Sequence, residues 1–252
     1  MRRVIGILSG KGGVGKTTLS TNLGLAMHNL GEDVVVVDAD LKNPSLGIQL
    51  GAFDYDTTLQ DVMEKEMPLM EAMYIHNTGL RFVPSHVSLN YLDVDSAKLR
   101  RVFEDVYFTS IIDSPPGMGK EAISVLEVCD EAIIVTTPAL PDVAGALRTV
   151  EVAKSMGILV KGIVLNKLMG RTYEVTKSEI EAVSGVKVLQ VVPWDENVLR
   201  SISYKKPIVQ FNAYSKSAVA FYELAAKITG ADYKKPSFTG LKSMFKILSN
   251  SL

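Results

Sequence analysis

A lysine-containing, glycine-rich stretch near the beginning of the chain has the composition of a phosphate-binding loop. The residues from Ser9 to Thr18 are SGKGGVGKTT, and they follow a short apolar run. Gly10, Gly15 and the pair Lys16-Thr17 satisfy the P-loop pattern, in which backbone amides and a helix N-terminus hold phosphate oxygens. We therefore predict that Lys16 reaches the β- and γ-phosphates of a nucleotide and that the Thr17 hydroxyl binds Mg²⁺. The residues predicted to contact the nucleotide here are Gly10, Lys11, Gly12, Gly13, Val14, Gly15, Lys16, Thr17 and Thr18.

Three aspartates stand at the ends of apolar runs that have the composition of buried strands. Asp38 and Asp40 end the segment VVVDAD, and their alternation along a strand points the two carboxylates in opposite directions. Asp113 follows Ile111-Ile112 and precedes a Ser-Pro-Pro-Gly loop. Carboxylates at such positions can serve a metal ion or the attacking water of a hydrolysis reaction. An aspartate that only caps a turn is the alternative for each of them.

The elements that must position these residues alternate along the chain. Short apolar runs, mostly continuous and rich in Val and Ile, are typical of strands buried on both faces of a parallel sheet. Between them lie helical patterns, and this alternation predicts an α/β fold with a doubly wound, mostly parallel sheet and helices on both faces. The predicted strands are Val4–Leu8, Val34–Val37, Leu80–Val83, Ser110–Ile112, Ala132–Val135, Val160–Leu165 and Val186–Val192. The predicted helices are Thr17–Asn29, Ala97–Val106, Ala122–Val128, Val143–Met156 and Tyr173–Val183.

Composition narrows the class of protein. The 252 residues carry a formal net charge of -1, which makes nucleic acid an unfavoured partner because phosphate binding needs a surplus of Lys and Arg. Cys129 is the single cysteine, so no disulfide can form within one chain. The N-terminus lacks the pattern of a signal peptide, and no apolar run is long enough to span a bilayer. We expect a cytoplasmic protein.

The second lysine of the loop carries a family resemblance. Lys11, in the sequence KGGVGKTT, resembles the deviant Walker A signature of the MinD/ParA family of ATPases. The resemblance implies that the chain hydrolyses ATP to ADP with Mg²⁺, and that Lys11 reaches the partner's phosphates in an ATP-dependent homodimer. It also implies that Asp40 positions the attacking water and approaches the metal through water. A solvated loop lysine is the alternative for Lys11.

The same resemblance assigns the remaining polar residues. It implies that Asp38 lies near the P-loop and the outer shell of the metal, and that Asp113 binds Mg²⁺ through water as the Walker B residue. Asn166-Lys167 resembles the start of a guanine-reading motif whose carboxylate is replaced by Met169, which favours adenine. Asn166, Pro193 and Asp195 are therefore implied to contact adenine, with purely structural roles left open for Asn166 and Asp195.

The last residues of the chain form an amphipathic pattern with basic flanks. Apolar side chains step by three and four residues, as in helices that lie on a membrane surface. The pattern resembles the membrane-targeting tail of MinD proteins, whereas a helix packed on its own domain is the alternative. The residues predicted to contact an anionic membrane are Phe238, Leu241, Lys242, Phe245, Lys246 and Leu248. We divide the chain into an ATPase domain (1–230), a linker (231–237) and this tail (238–252).

Four functions share these phosphate-binding residues. The favoured one is a MinD-like switch that dimerises on ATP, attaches peripherally to the inner face of the cell membrane, and positions partner proteins or responds to a protein activator. A ParA-type segregation ATPase is the main alternative, and the net charge and the tail disfavour it. A flagellar-number regulator and an iron–sulfur scaffold are further alternatives. We expect neither, because the flagellar-number regulator usually has an N-terminal extension before its first strand and the iron–sulfur scaffold needs paired cysteines that the single Cys129 does not supply.

Overall fold

The computed structural model describes residues 3–86 and 96–236. Its strands are β1 (Arg3–Leu8), β2 (Val34–Asp38), β3 (Tyr74–Ile75), β4 (Arg81–Val83), β5 (Thr109–Asp113), β6 (Glu131–Thr136), β7 (Leu159–Leu168) and β8 (Val188–Pro193). Its helices are α1 (Lys16–Asn29), α2 (Leu46–Leu50), α3 (Leu59–Lys65), α4 (Ser96–Val102), α5 (Lys120–Val128), α6 (Leu140–Ser155), α7 (Lys177–Ser184), α8 (Glu196–Ser203), α9 (Ile208–Phe211) and α10 (Lys216–Thr229).

The strands form one sheet in the order β3-β4-β2-β5-β1-β6-β7-β8. Every described strand pair is parallel except β3 with β4. The carboxyl ends of β1, β2 and β5 therefore meet at one edge near the middle of the sheet, where β1 leads into the P-loop. The predicted doubly wound α/β sheet is confirmed.

Burial on both faces explains the continuous apolar runs of the strands. Along β2, Val34 and Val36 face the layer that contains α1 and α10, whereas Val35 and Val37 face the layer that contains α3, α4 and α5. The residues of β2 are all buried. Each face of the strand therefore stabilises a separate helical layer through the burial of apolar surface.

Two of the predicted helices differ from the structure by four residues at one end. The pattern at Tyr173–Val183 predicted a helix that in fact begins at Lys177, because Thr176 and Glu179 form a capping box there. The helix predicted over Ala97–Val106 ends at Val102. Phe103 and Val106 are buried although they lie beyond the end of the helix, so the apolar pattern there indicates burial and not helix.

No helix or strand is predicted from the sequence between Pro193 and Gly230, where the structure has α8, α9 and α10. The first residues of the predicted linker, 231–236, contain neither helix nor strand, and they return along α10. Tyr233 stacks on Tyr222 with ring centroids 5.0 Å apart, and Lys235 pairs with Glu223. The predicted amphipathic tail lies outside the described residues. Within the described ranges, no helix is both long and apolar enough to cross a bilayer.

Candidate functional site

The P-loop joins β1 to α1 and presents backbone amides at the N-terminus of the helix. Gly15 occupies the N-cap position with φ +100°, a left-handed conformation that favours glycine. No side chain caps this helix end. The first amides of α1 are therefore available to an anion, and the helix dipole favours negative charge at the same place.

Gly10 is required for a different reason than its place in the motif suggests. A Cβ atom on Gly10 would lie 2.2 Å from the carbonyl carbon of Gly145 in α6. Two backbone segments that are far apart in sequence therefore touch directly. The P-loop and the first turns of α6 form one packed unit, and the short motif by itself does not reveal this contact.

Lys16 lies in a buried position between carboxylates. Burial lowers the pKa of its amine, and the nearby Asp113 and Asp40 carboxylates oppose that shift. Only 8% of Lys16 is exposed, so its charge depends on these acidic neighbours and on any anion bound by the loop. The structure thus brings together three residues that the sequence predicted for the site.

The carboxylate of Asp113 is suited to a cation. Ser20 donates a hydrogen bond to its Oδ1 atom at 3.1 Å, whereas Oδ2 is buried without a hydrogen-bond partner. Burial raises the pKa of Asp113 to about 6, against the hydrogen bonds from Thr17 and Ser20 and the charge of Lys16. A buried acceptor without a partner is costly unless a ligand satisfies it.

The hydroxyl of Thr17 lies beside this carboxylate and 2.8 Å from the hydroxyl of Ser45. Oxygen atoms from carboxylates and hydroxyls are the ligands that Mg²⁺ prefers. The residues present therefore fit a magnesium ion held by Thr17, with Asp113 reaching it directly or through water. Ser45 is a neighbour that the sequence analysis missed, and only the fold of the loop after Asp40 brings it here.

Asp38 and Asp40 have different surroundings, as their alternation predicted. Asp38 is fully buried, and its carboxylate accepts hydrogen bonds from the amides of Asp40, Ser45 and Leu46. Burial raises the pKa of Asp38 well above its ordinary value, and Asp113 adds to the rise. These contacts agree with the alternative prediction for Asp38, an aspartate that caps a turn. They hold the loop that follows β2.

Asp40 is only partly buried and lines the same cavity as Lys16. The amide of Asn43 donates to its Oδ1 atom at 3.0 Å. Burial raises the pKa of Asp40, opposed by the Asn43 amide and by the charge of Lys16. The carboxylate is therefore held by its own turn at the wall of the cavity.

Lys11 lies at the rim of the site. Its side chain is half exposed, and its Nζ atom is 3.9 Å from Oδ1 of Asp142 in the first turn of α6. Asp142 in turn accepts a hydrogen bond from Thr137 at 2.6 Å. Lys11 is thus a cation on the surface, with its ammonium group outside the cluster of Lys16, Asp40 and Asp113.

The loops after β7 and β8 close the other side of the cavity. The Asn166 amide donates to the carbonyl of Val14 at 2.7 Å, and Lys167 Nζ donates to the carbonyl of Gly13 at 2.7 Å. These bonds tie the loop after β7 to the P-loop and give Asn166 a structural role. A contact of Asn166 with adenine stays a prediction. Lys167 has no predicted role in the sequence analysis, although it belongs to the quoted Asn-Lys pair.

The cavity has a volume of about 370 Å³ and runs from the P-loop to α8. Pro193 and Asp195 line its far end together with the apolar side chains Val198 and Ile202. Asp195 caps α8 through the amide of Asn197 at 2.9 Å, so its carboxylate stabilises the helix that forms this wall. The polar end suits phosphates, and the apolar end suits a flat ring.

A parallel, doubly wound sheet with a P-loop at the end of β1 and acidic residues at the ends of β2 and β5 defines a P-loop nucleotide-binding protein. The family model described as ParA, NUBPL iron-transfer P-loop NTPase, matches residues 1–229. The chain belongs to the ParA/MinD family of P-loop NTPases.

The chain is similar to several known members. It is 33% identical to an uncharacterized ATP-binding protein of Methanocaldococcus jannaschii, with 97% of each chain covered. It superimposes on the septum site-determining protein MinD of Pyrococcus horikoshii in complex with Mg-ADP, with a TM-score of 0.84, 31% identity and coverage of 90% of this chain and 96% of that one. A chain of the MinC:MinD cell division protein complex from Aquifex aeolicus gives a TM-score of 0.82 at 25% identity, with coverage of 93% of this chain and 98% of that one.

The matched family model is named for iron transfer, and the position of the single cysteine bears on that activity. Cys129 is buried where α5 ends, beside Gly6 of β1, and its thiol donates to the carbonyl of Val125. Burial raises the pKa of this thiol far above its ordinary value. A neutral, enclosed thiol is a poor metal ligand because the thiolate is the form that binds metals.

Proposed function

We propose that this protein is a MinD-like molecular switch that binds and hydrolyses ATP with Mg²⁺ and changes its assembly state with the nucleotide. The observation that carries the proposal is the convergence of Lys16, Asp40 and Asp113 beside the P-loop, where Lys16 and Asp40 line one cavity. The chain is a P-loop ATPase that uses ATP, ADP and Mg²⁺. The Mg-ADP complex of the Pyrococcus horikoshii MinD supports this choice of nucleotide and metal.

The residues of the site divide the work of hydrolysis between them. Lys16 and the amides at the start of α1 hold the phosphates, and Asp40 orients a water molecule for in-line attack on the γ-phosphate. Thr17 and Asp113 would hold a Mg²⁺ ion, which would neutralise part of the negative charge of the phosphates. Because Asp40 is held by its own turn, its carboxylate does not need to reorganise before the water attacks.

Lys11 supplies the link between nucleotide and assembly. Its exposed position at the rim suits a lysine that crosses to the phosphates bound by a second copy of the chain. Lys11 of the partner subunit then adds positive charge where negative charge develops in the transition state, as arginine fingers do in other P-loop enzymes. Dimerisation thus requires ATP, and hydrolysis releases the two chains.

The tail at 238–252 converts dimerisation into membrane attachment. A single weak anchor binds reversibly, and stable attachment takes two signals. A dimer has two tails, and the second one binds at an effective concentration on the order of millimolar. The ATP dimer is therefore the membrane-bound form. Bound there, the dimer positions a partner protein, and the Aquifex complex of MinD with MinC supports the presence of such a partner.

The test is co-sedimentation of the full chain with vesicles that contain anionic lipid, in the presence of ATP, ADP or no nucleotide. We expect pelleting with ATP and little with ADP. A variant that ends at residue 236 should stay in the supernatant while it still hydrolyses ATP. If this truncated variant pelleted with ATP, the tail would not be the membrane anchor. If the full chain pelleted equally with ATP, with ADP and without nucleotide, the protein would not be a nucleotide-dependent switch.

The ParA-type alternative is separated by a DNA mobility-shift experiment with ATP. A segregation ATPase binds DNA nonspecifically through a basic surface, and such binding weakens steeply with salt. The net charge of -1 does not favour it. A salt-sensitive shift with ATP, together with no vesicle binding, would replace the membrane switch by DNA segregation.

A further inference from the structure

The turn that holds Asp40 is tied to a second segment of the site by an ion pair outside the P-loop. Within this turn, the amides of Lys42 and Asn43 donate to the Asp40 carboxylate, and the Asn43 bond is 3.0 Å long. The side chain of Lys42 leaves the turn, and its Nζ atom lies 2.5 Å from Oε1 of Glu121. The turn is thus held by hydrogen bonds to the Asp40 carboxylate within it and by the ion pair of Lys42 with Glu121 in α5.

Glu121 is well prepared for this contact. It stands in the first turn of α5, where a negative charge is favoured, and its own backbone amide donates to it. The hydrogen bond from Lys42 lowers the pKa of Glu121 from its ordinary value. Because α5 follows the loop that begins at Asp113, the ion pair joins the two loops that flank the predicted phosphate and metal positions.

We infer that the Lys42–Glu121 ion pair positions the Asp40 carboxylate for hydrolysis by tying the 40–43 turn to α5. This inference rests on the proposed ATPase function. Lys42 and Glu121 are positioning residues because they act through the turn, and Asp40 contacts the water. Without the pair, the hydrogen bonds of the turn open more often, and the turn loses its fixed position relative to Asp113 and Lys16. A displacement of about 1 Å at a catalytic group is enough to lower a rate by one to two orders of magnitude.

The ion pair is partly exposed, so its removal should leave the folded state intact. Partly exposed ion pairs contribute little to the stability of the folded state. The test compares Lys42→Met, Glu121→Gln and the double variant in steady-state ATP hydrolysis. We expect kcat to fall about tenfold in each single variant with KM changed less than about twofold, since the phosphate contacts are untouched. The double variant should be no slower than either single variant.

Two controls make the experiment specific. Lys42→Arg keeps the pair and should hydrolyse ATP at close to the wild-type rate. Lys177→Met removes the ion pair of Lys177 with Glu181 in α7, on another part of the surface, and should also leave kcat unchanged. If Lys177→Met slowed hydrolysis as much as Lys42→Met, a general effect of lost surface charge would replace the positioning role.

A second measurement does not depend on hydrolysis. Hydrogen exchange of the Asn43 amide reports how firmly the turn holds Asp40, and protection should fall in Glu121→Gln but not in Lys177→Met. Unchanged kcat and unchanged protection in Glu121→Gln would overturn the inference. A wild-type protein that does not hydrolyse ATP would overturn the proposed function and the catalytic part of the inference, while exchange at Asn43 would still decide whether the pair holds the turn.

Discussion

Two acidic side chains lie next to each other in the buried centre of the site. Asp38 and Asp113 are paired in register on neighbouring parallel strands, and both are almost completely buried. Two carboxylates in such an environment disfavour each other's ionisation, and burial disfavours it further. The buried pair of carboxylates therefore lowers the free energy of unfolding, and a cation bound by Asp113 would raise it again.

We predict that Asp113→Asn stabilises the protein in the absence of nucleotide and Mg²⁺. Its folded-state pKa of about 6 lies above the ordinary value of 3.8, so the folded state binds the proton more tightly than the unfolded state. Ionisation of Asp113 therefore costs stability, fully above pH 6, and this cost disappears as the pH falls toward 3.8. The gain from Asp113→Asn should be roughly 1–2 kcal/mol at pH 7.5 and smaller at pH 5.

Urea unfolding of both proteins at the two pH values measures this gain, with Asp56→Asn on the surface as the control. A loss of stability at pH 7.5 would show that the Lys16 contact outweighs the burial of Asp113. The same variant should also lose the stabilisation that Mg-ADP gives to the wild type, which thermal unfolding with and without the ligand detects.

A second prediction at this scale concerns Asp40. Asp40→Ala removes the group that we propose orients the attacking water, but it leaves Lys16, the amides of α1 and Asp113 in place. We expect ATP binding to be retained and hydrolysis to fall by about 10²-fold or more, so that the ATP dimer accumulates. Single-turnover hydrolysis and size-exclusion chromatography with ATP measure the two effects. Hydrolysis at the wild-type rate would exclude Asp40 from catalysis.

At the scale of the elements, the P-loop packs closely against the backbone of α6. A Cβ atom on Gly10 would overlap the backbone of Gly145, whereas a Cβ atom on Gly12 would have Pro116 as its nearest neighbour at 3.7 Å. The added Cβ atom would lie 2.2 Å from the carbonyl carbon of Gly145, and this backbone atom can move aside only if α6 shifts. The two glycines of one loop thus have different tolerance to substitution.

We predict that Gly10→Ala destabilises the protein by about 1–3 kcal/mol because α6 must move away from the P-loop. Gly12→Ala is the matched control and should change stability by less than about 0.5 kcal/mol. Denaturant unfolding measures both. If the two variants were equally stable, α6 could move away from the P-loop at little cost in free energy, and the two segments would not be rigidly packed together.

At the scale of the whole molecule, the role proposed for Lys11 connects the nucleotide site to assembly and to the membrane. We predict that Lys11→Ala binds ATP as a monomer but neither dimerises nor pellets with anionic vesicles, although its tail is intact. The reason is that two tails are needed for stable attachment, and only the dimer has two. Light scattering and vesicle co-sedimentation with ATP measure these losses, with Lys187→Ala on the surface as the control. Vesicle binding by a monomeric Lys11→Ala would show that one tail suffices.

The class of fold and most of the predicted site could be derived from local patterns. Buried parallel strands are short apolar runs, and their carboxyl ends must meet at one edge, so Lys16, Asp40 and Asp113 were expected together and lie together. The helix α10 could have been predicted too. Its buried residues Ala218, Phe221, Leu224, Ala225 and Ile228 follow the helical period between the caps Ser215 and Gly230. The short helices α8 and α9 have too few turns for a reliable period.

Local order along the chain was enough to determine the P-loop, because strand, glycines, lysine and helix start are consecutive and their chemistry acts through backbone amides. Contacts between distant segments were decided only by the tertiary structure. The sequence does not state that Gly10 touches Gly145, that Asn166 and Lys167 hold the P-loop carbonyls, or that Lys42 reaches Glu121. Each of these depends on the order of strands in the sheet, which places residues far apart in the chain within a few ångströms.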